Sequence, residues 1–300
     1  MVGAGLMTRP LAVVLCFAAV LGAAALWALT RPDAVSPDTF AGLRGNADAG
    51  ERIFWAGGCA SCHAAPDAEG DAKLVLAGGI RLESDFGTFV GPNISPHDRH
   101  GIGGWTLPEF GTAMMRGVSP QGRHYYPAFP YTAYARAEPQ DIADLYAYLM
   151  TLPADATPSA SHDLRFPFTL RRGLGLWKRL YLRDGWVLTG DLSPQEIEGR
   201  YLVEALAHCA ECHTPRDSIG GLQRTAWMAG APNPSGRGRI PNIRPEHLDW
   251  SALDIALYLE SGFTPGFDVA GGSMAAVVDS MARLPGADRE AIAAYLLAIR

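Results

Sequence analysis

Cys59-Ala60-Ser61-Cys62-His63 recurs in the second half of the chain as Cys209-Ala210-Glu211-Cys212-His213. Each copy has two thiols separated by two residues, with a histidine directly after. This is the attachment signature of a c-type haem. The thiols form thioethers to the porphyrin vinyl groups, and the adjacent imidazole supplies one axial nitrogen to the iron. The spacing is a chemical requirement: it lets both sulfurs reach one porphyrin edge and brings the histidine beneath the metal. A redox dithiol or half of a zinc site would also use a Cys-x-x-Cys pair. Zinc would need ligands gathered from both halves, and neither alternative explains a histidine placed identically after each pair. Four of the five cysteines are accounted for in this way, as thioethers of two covalently bound haem c groups. The fifth, Cys16, lies in an apolar stretch and reads as a helical thiol.

Composition bounds the rest. A chain of 300 residues, 48% hydrophobic and 19% charged, has enough apolar material for about two packed domains. The net charge of −6, without a Lys/Arg run, argues against nucleic acid as a partner. Frequent glycine and proline (34 and 22) fit short helices joined by long ordered loops.

From Leu11 to Leu29 no charge interrupts an apolar run flanked by Arg9 and Arg31. The run matches a spanning helix in length and exceeds a usual signal-peptide core. Residues 1–31 are therefore expected to form an uncleaved anchor, although Ala23-Ala24-Ala25 offers a cleavage site and keeps a removed signal open. The tail with Arg9 would stay in the cytoplasm and the remainder would be exported. Residues 32–45, with Pro32, Ser36, Pro37, Gly42 and Gly45, read as a linker.

Beyond it the chain repeats itself. Pro92-Asn93-Ile94 answers Pro241-Asn242-Ile243, and Trp105-Thr106-Leu107-Pro108-Glu109 answers Trp250-Ser251-Ala252-Leu253-Asp254. Thr106 and Ser251 each stand three residues before an acid, the capping-box pattern of a helix start. Gly117 and Gly262 then mark helix ends. Ile142, Leu145, Tyr146 and Leu149 share one helical face, as do Ile292, Tyr295, Leu296 and Ile299. Residues 46–152 and 199–300 are thus read as two copies of one helical haem domain. Each copy has a helix bearing the motif at its end, a middle helix and a closing helix. The intervening 153–198 carries Leu174, Leu176, Trp177, Leu180 and Tyr181 among Arg171, Arg172, Lys178, Arg179 and Arg183. It reads either as a basic amphipathic segment on a membrane or partner, or as a connector packed on both domains with its charges exposed; the second is favoured.

Several stretches resemble the membrane-associated multihaem cytochrome c subunits of periplasmic dehydrogenases, as in alcohol and gluconate dehydrogenase complexes. They are Gly87-Thr88-Phe89-Val90-Gly91-Pro92-Asn93-Ile94, Gly101-Ile102-Gly103-Gly104-Trp105, Gly117-Val118-Ser119-Pro120 and Tyr126-Pro127-Ala128-Phe129-Pro130-Tyr131. The second half adds Tyr201-Leu202-Val203, Cys212-His213-Thr214-Pro215-Arg216 and Gly271-Gly272-Ser273-Met274-Ala275. The resemblance covers nearly everything from residue 46 onward. Such subunits usually carry three haems and a C-terminal membrane element, whereas this chain has two motifs and an N-terminal apolar run. The resemblance implies an all-α fold of two tandem class I cytochrome c-like domains behind an N-terminal transmembrane helix at a bacterial inner membrane, with both haem domains in the periplasm.

It also implies ligands. His63 and His213 are the proximal ones, and a proline carbonyl after each motif is expected to accept the other ring N–H, with Pro66 and Pro215 at suitable offsets. Met274 is expected as the second axial ligand of the second iron, with Met281 its competitor. In the first half the repeat puts Phe129 opposite Met274, and Ala137 falls where relatives place a later methionine. Met114, Met115, His124 and Met150 remain candidates for that iron. The function implied is electron transfer from a periplasmic dehydrogenase to a soluble cytochrome or terminal oxidase. The alternative is a peroxidase-like enzyme or gas binder using an open first iron.

Overall fold

The computed structural model describes residues 8–234, 236 and 238–299. The tail before Thr8 and the side chain of Arg9 lie outside the described residues. Helix α1, Thr8–Leu29, has 22 residues, about 33 Å at 1.5 Å per residue, which matches a hydrocarbon core. Its apolar side chains from Leu11 to Leu29 are exposed all round.

Residues 32–45 are docked, where the sequence suggested a linker. Ser36 caps a 3₁₀ turn at Pro37–Phe40, the Phe40 side chain is buried, and the Val35 amide donates to the Thr112 hydroxyl at 3.2 Å. Phe40 packs directly over Gly111, where a Cβ would meet its ring at 2.2 Å.

Two helical layers follow, one in each half. Helix α2 (Ala47–Ala56) is capped by the Asn46 side chain. After Gly57 and a left-handed Gly58 comes α3 (Cys59–His63), so the motif starts a short helix of its own and does not end α2. Helix α4 (Leu107–Arg116) begins with the expected Thr106/Glu109 capping box and ends at Gly117 with φ 60°. A short α5 (Tyr131–Tyr134) leads to the closing α6 (Pro139–Leu149), whose Ile142, Leu145 and Leu149 are buried as the periodicity requires. Helix α6 crosses α2 so closely that a Cβ on Gly50 would lie 2.0 Å from the Asp144 carbonyl oxygen.

The connector holds α7 (Leu174–Tyr181). The second half then repeats the order of elements. Helix α8 (Pro194–Tyr201) runs on as a π-helical turn over Leu202–Leu206. His208 adopts the left-handed conformation of Gly58, and α9 (Ala210–His213) carries the motif. After α10 (Pro245–Leu248), α11 (Ala252–Ser261) has the Ser251/Asp254 capping box and a left-handed Gly262 cap. Helix α12 (Ser273–Met281) precedes the closing α13 (Gly286–Ala298), which crosses α8 at Gly199; a Cβ there would lie 1.9 Å from the Ala291 oxygen.

The helices are joined by two small antiparallel sheets that an all-α reading omits. Strands β1 (Arg81–Ser84) and β2 (Gly87–Val90) pair Arg81 with Val90, and β3 (Asp163–Leu164) of the connector adds to β2. Strands β4 (Ala231–Pro232) and β5 (Arg239–Ile240) form the other. The loop after each motif must turn back towards its histidine, and pairing satisfies the backbone groups that such a turn would leave without partners.

The halves share one continuous apolar core that includes Phe54, Leu145, Leu202, Leu206 and Tyr295. Polar clasps close its rim. Arg52 on α2 binds Asp288 through Nε (2.7 Å) and Nη2 (3.0 Å), and Nη2 also reaches Glu198 at 2.6 Å. The Tyr201 hydroxyl donates to Asp141, the Thr132 hydroxyl donates to Glu211 at 3.0 Å, and Arg283 stacks over Trp55 at 4.3 Å.

The connector packs on both halves, as favoured, but its charges are not simply exposed. Lys178 is buried and donates to the Arg116 and Gly117 carbonyls (2.5 and 2.7 Å) over the Tyr131 ring. On the other side the Trp177 indole donates to Ile219 O at 2.9 Å.

Candidate haem centres

Each motif presents its chemistry in the same way. Gly58 and His208, both left-handed, turn the chain sharply so that one helical turn holds both cysteines on one side and ends at the histidine. The backbone after each turn is pinned alike: the Gly78 amide donates to His63 O at 2.7 Å and the Gly230 amide to His213 O at 2.8 Å.

The histidine tautomer is fixed by a carbonyl, but not by the one expected. His63 Nδ1–H donates to Pro92 O at 2.8 Å, and His213 Nδ1–H donates to Pro241 O at 2.9 Å. Pro66 and Pro215 do not take this role. Strand β5 ends directly before its Pro-Asn-Ile repeat and β2 one residue before its own, and they deliver those carbonyls. Committing Nδ1 leaves Nε2 with its lone pair free, as a metal ligand requires. Burial lowers the proton affinity of both rings, against the proline carbonyls that raise it, so the neutral imidazole is favoured.

The thiols suit thioether formation better than metal binding. Burial pushes Cys59 up to about 12, with a further push from Cys62, and burial likewise takes Cys209 to about 12. Cys62 is raised by burial first and then by Cys212. The two motifs start close together: the His208 Nε2–H donates to Gly57 O at 3.2 Å, joining the residues just before each thiol pair. Among the described residues no three of His, Cys, Asp or Glu gather to hold an ion, which leaves a zinc site shared between the cysteine pairs without its ligand cluster. The donor set therefore fits haem c: two thiols per motif, and an imidazole with a free Nε2.

The remaining candidates separate by burial. Met274 lies in the first turn of α12, half-buried against the core. Met281, at the other end of α12, is buried in packing, and its carbonyl accepts from Arg289 at 3.3 Å. Phe129 is half-buried among Tyr125, Tyr134 and Tyr131, at ring distances of 5.9, 5.8 and 6.4 Å. Met114 is buried and lines a cavity of about 10 Å³ with Cys59, Tyr134 and Leu206. Met115 and Met150 are partly buried on the same core. His124 is buried, with Nε2 donating to Thr30 O at 3.0 Å at the foot of α1.

Glu204 escaped the sequence reading. It is buried, accepts from the Val187 and Leu188 amides (2.6 and 3.0 Å) and from the Tyr295 hydroxyl (2.7 Å), and faces Arg136 at 4.0 Å. The only local signal was an acid inside the apolar run Leu202-Val203-Glu204-Ala205-Leu206.

A repeated thiol pair that presents a histidine with a fixed tautomer defines a c-type cytochrome. The cytochrome c family model matches residues 47–153. Over 290 residues the chain is 60% identical to a diheme cytochrome c-type protein of Cereibacter sphaeroides, covering 97% of this chain and 98% of that one. It is 37% identical to the fructose dehydrogenase cytochrome subunit of Gluconobacter japonicus, over 90% of this chain and 56% of the subunit. With the gluconate 2-dehydrogenase cytochrome c subunit of Pantoea cypripedii it shares 31% identity, over 82% of this chain and 58% of that subunit. The chain thus spans little more than half the length of these two dehydrogenase subunits. It belongs to the dihaem c-type cytochromes, electron-transfer proteins that hold haem c covalently.

Proposed function

We propose that this chain is a membrane-anchored electron relay built from two tandem class I cytochrome c-like domains, residues 46–152 and 199–300, joined by 153–198. Cys59 and Cys62 hold one haem c and Cys209 and Cys212 the other, with His63 and His213 as proximal ligands and Met274 as the second ligand of the second iron. When bound, haem c supplies reversible one-electron chemistry at iron. The observation that carries the reading is the matched pair of Nδ1–proline carbonyl bonds, which present both imidazoles identically beside each thiol pair. The contact of His208 with Gly57 O, which joins the starts of the two motifs, supports transfer between the two centres within one molecule.

A thioether ligand favours ferrous iron. Met274 on the second centre, and Phe129 at the matching place on the first, make the second centre the better acceptor. Electrons enter at the first half and leave from the second. Relatives named as cytochrome subunits of fructose and gluconate dehydrogenases support a periplasmic dehydrogenase as donor. The acceptor in this reading is a soluble cytochrome or terminal oxidase, and α1 is the anchor at the bacterial inner membrane.

The test is Met274→Leu in the haem-loaded protein. The expected result is loss of a methionine–iron charge-transfer band and a lower potential at one haem only. A band that survives the substitution sinks the assignment and moves it to Met281.

One observation favours a second activity. Phe129 offers no donor atom, so the first iron lacks a ligand at the place matched by the repeat. Carbon monoxide binding to one of the two reduced haems, with peroxide turnover, would identify a gas-binding or peroxidase-like site. Two low-spin haems without an adduct exclude it.

A further inference from the structure

The connector is bound to the end of the apolar helix. Arg172 donates through Nη2 to Trp27 O at 2.7 Å and through Nε to the Thr30 hydroxyl at 2.9 Å, and Arg179 Nε donates to Leu29 O at 2.7 Å. Gly175 lies against Thr30 so closely that a Cβ would meet the Thr30 Cα at 2.6 Å. Arg31 and Arg172 both stack on the Trp27 ring, at 5.3 and 5.6 Å. Helix α7 therefore runs alongside the last turn of α1, within about one helical turn, 5.4 Å, of the end of its apolar run.

Around this junction the protein exposes large apolar side chains. Phe166 is 79% exposed, Leu170 60% and Leu180 56%, with Phe168 and Leu176 also open. Leu176 and Leu180 lie four residues apart on the exposed side of α7, Leu176 beside its α1-facing Gly175 and Arg179, and Leu180 at the rim of the groove that Trp177 also lines. Exposed arginines 165, 172, 179 and 183 are interleaved with these residues along the chain. The whole chain carries −6, so this basic surface sits at the root of α1 on an otherwise acidic protein.

We propose that residues 165–183 form an interfacial membrane-binding element. Phe166, Phe168, Leu170, Leu176 and Leu180 enter the headgroup layer, and the arginines engage anionic lipid phosphates. The inference rests on reading α1 as a membrane span. If α1 crosses the bilayer, its end marks the hydrocarbon boundary, and the headgroup layer beyond it is about 5–8 Å thick. A helix fixed alongside that last turn lies within this layer. Aromatic and aliphatic side chains mixed with arginine are the composition such a layer accommodates, and basic clusters are drawn to anionic lipid.

The test uses the full, haem-loaded chain in liposomes of phosphatidylglycerol and phosphatidylcholine. Cys16 is the one cysteine not consumed as a thioether, so a spin label there reports the span directly. On a Cys16→Ala background, Leu180→Cys and Phe166→Cys place labels on the connector, and Leu253→Cys on exposed α11 gives an aqueous reference. Collisions with oxygen and with a water-soluble nickel chelate are compared. The Cys16 label is expected deep in hydrocarbon. The Leu180 and Phe166 labels are expected to meet the nickel chelate several-fold less often than the Leu253 label, and less still as the phosphatidylglycerol fraction rises. A deep Cys16 label with Leu180 and Phe166 as accessible as Leu253 overturns the interfacial element and leaves the anchor intact. An aqueous Cys16 label overturns the anchor and this inference together.

Discussion

Arg52 is where the union of the two halves is most open to measurement. Its guanidinium makes two bonds to Asp288, whose side chain is 9% exposed, and one to Glu198, whose side chain is 47% exposed. Arg52→Met keeps the aliphatic stem over α2 and leaves the Asp288 carboxylate desolvated without its cation. A hydrogen bond to a charged group is worth about 1.5–3 kcal/mol, and an exposed pair such as that with Glu198 under about 1. Arg52 is itself one-third exposed, so water recovers part of the loss. The expected cost is about 2–3 kcal/mol. At about 2–4 °C per kcal/mol for a chain near this size, the melting temperature falls by roughly 5–10 °C. The assay is thermal unfolding of the haem-loaded protein by far-ultraviolet circular dichroism, beside the double variant Arg52→Met/Asp288→Leu. Removing both partners should recover most of the loss, because the cost lies in an orphaned buried charge. A single variant that melts within about 1 °C of the parent, or a double variant less stable than the single one, refutes the reasoning.

Phe129→Met should add a second methionine–iron band and abolish any carbon monoxide adduct, at a stability cost of about 1–3 kcal/mol from the lost tyrosine ring contacts. A variant that still binds carbon monoxide at one haem refutes the match between Phe129 and Met274. Thr106→Ala should destabilise α4 by about 1 kcal/mol, read by denaturant unfolding, because the hydroxyl caps the Glu109 amide. The Thr106 amide and hydroxyl hold the Glu109 carboxyl below its usual range. The folded state then binds fewer protons than the unfolded one, so this contribution is complete above the ordinary carboxylate range and is lost as pH falls through the lowered value. A stability–acid curve unchanged by Glu109→Gln would refute it.

What the sequence made legible was local. The capping boxes at Thr106/Glu109 and Ser251/Asp254, the left-handed Gly117 and Gly262, and the buried faces of α6 and α13 depend on residues within a turn or two of each other. The proline partners of the histidines were misplaced because the true carbonyls are contributed from 29 and 28 residues away, by a hairpin that composition does not announce. The clue was present in the repeated Pro-Asn-Ile. Gly50 and Gly199 went unread as helix crossings because they sit out of step: Gly50 precedes Cys59 by nine residues, and Gly199 precedes Cys209 by ten. The π turn over Leu202–Leu206 absorbs the extra residue and restores the register. The asymmetry at Phe129 was legible, since it is a matter of which atoms are present.

The docking of residues 32–45 and the grip of Arg172 and Arg179 on the last turn of α1 have a mechanical consequence. A cytochrome on a slack tether sweeps a hemisphere and can carry charge between distant partners by swinging. With α1 as the proposed anchor, this one would stand on a stiff mast gripped at its foot. Its remaining freedoms would then be drift in the plane of the bilayer and rotation about the membrane normal, at one fixed height. On that reading donor and acceptor would have to present their own redox centres at that height, and encounter would become a two-dimensional search set by lateral diffusion.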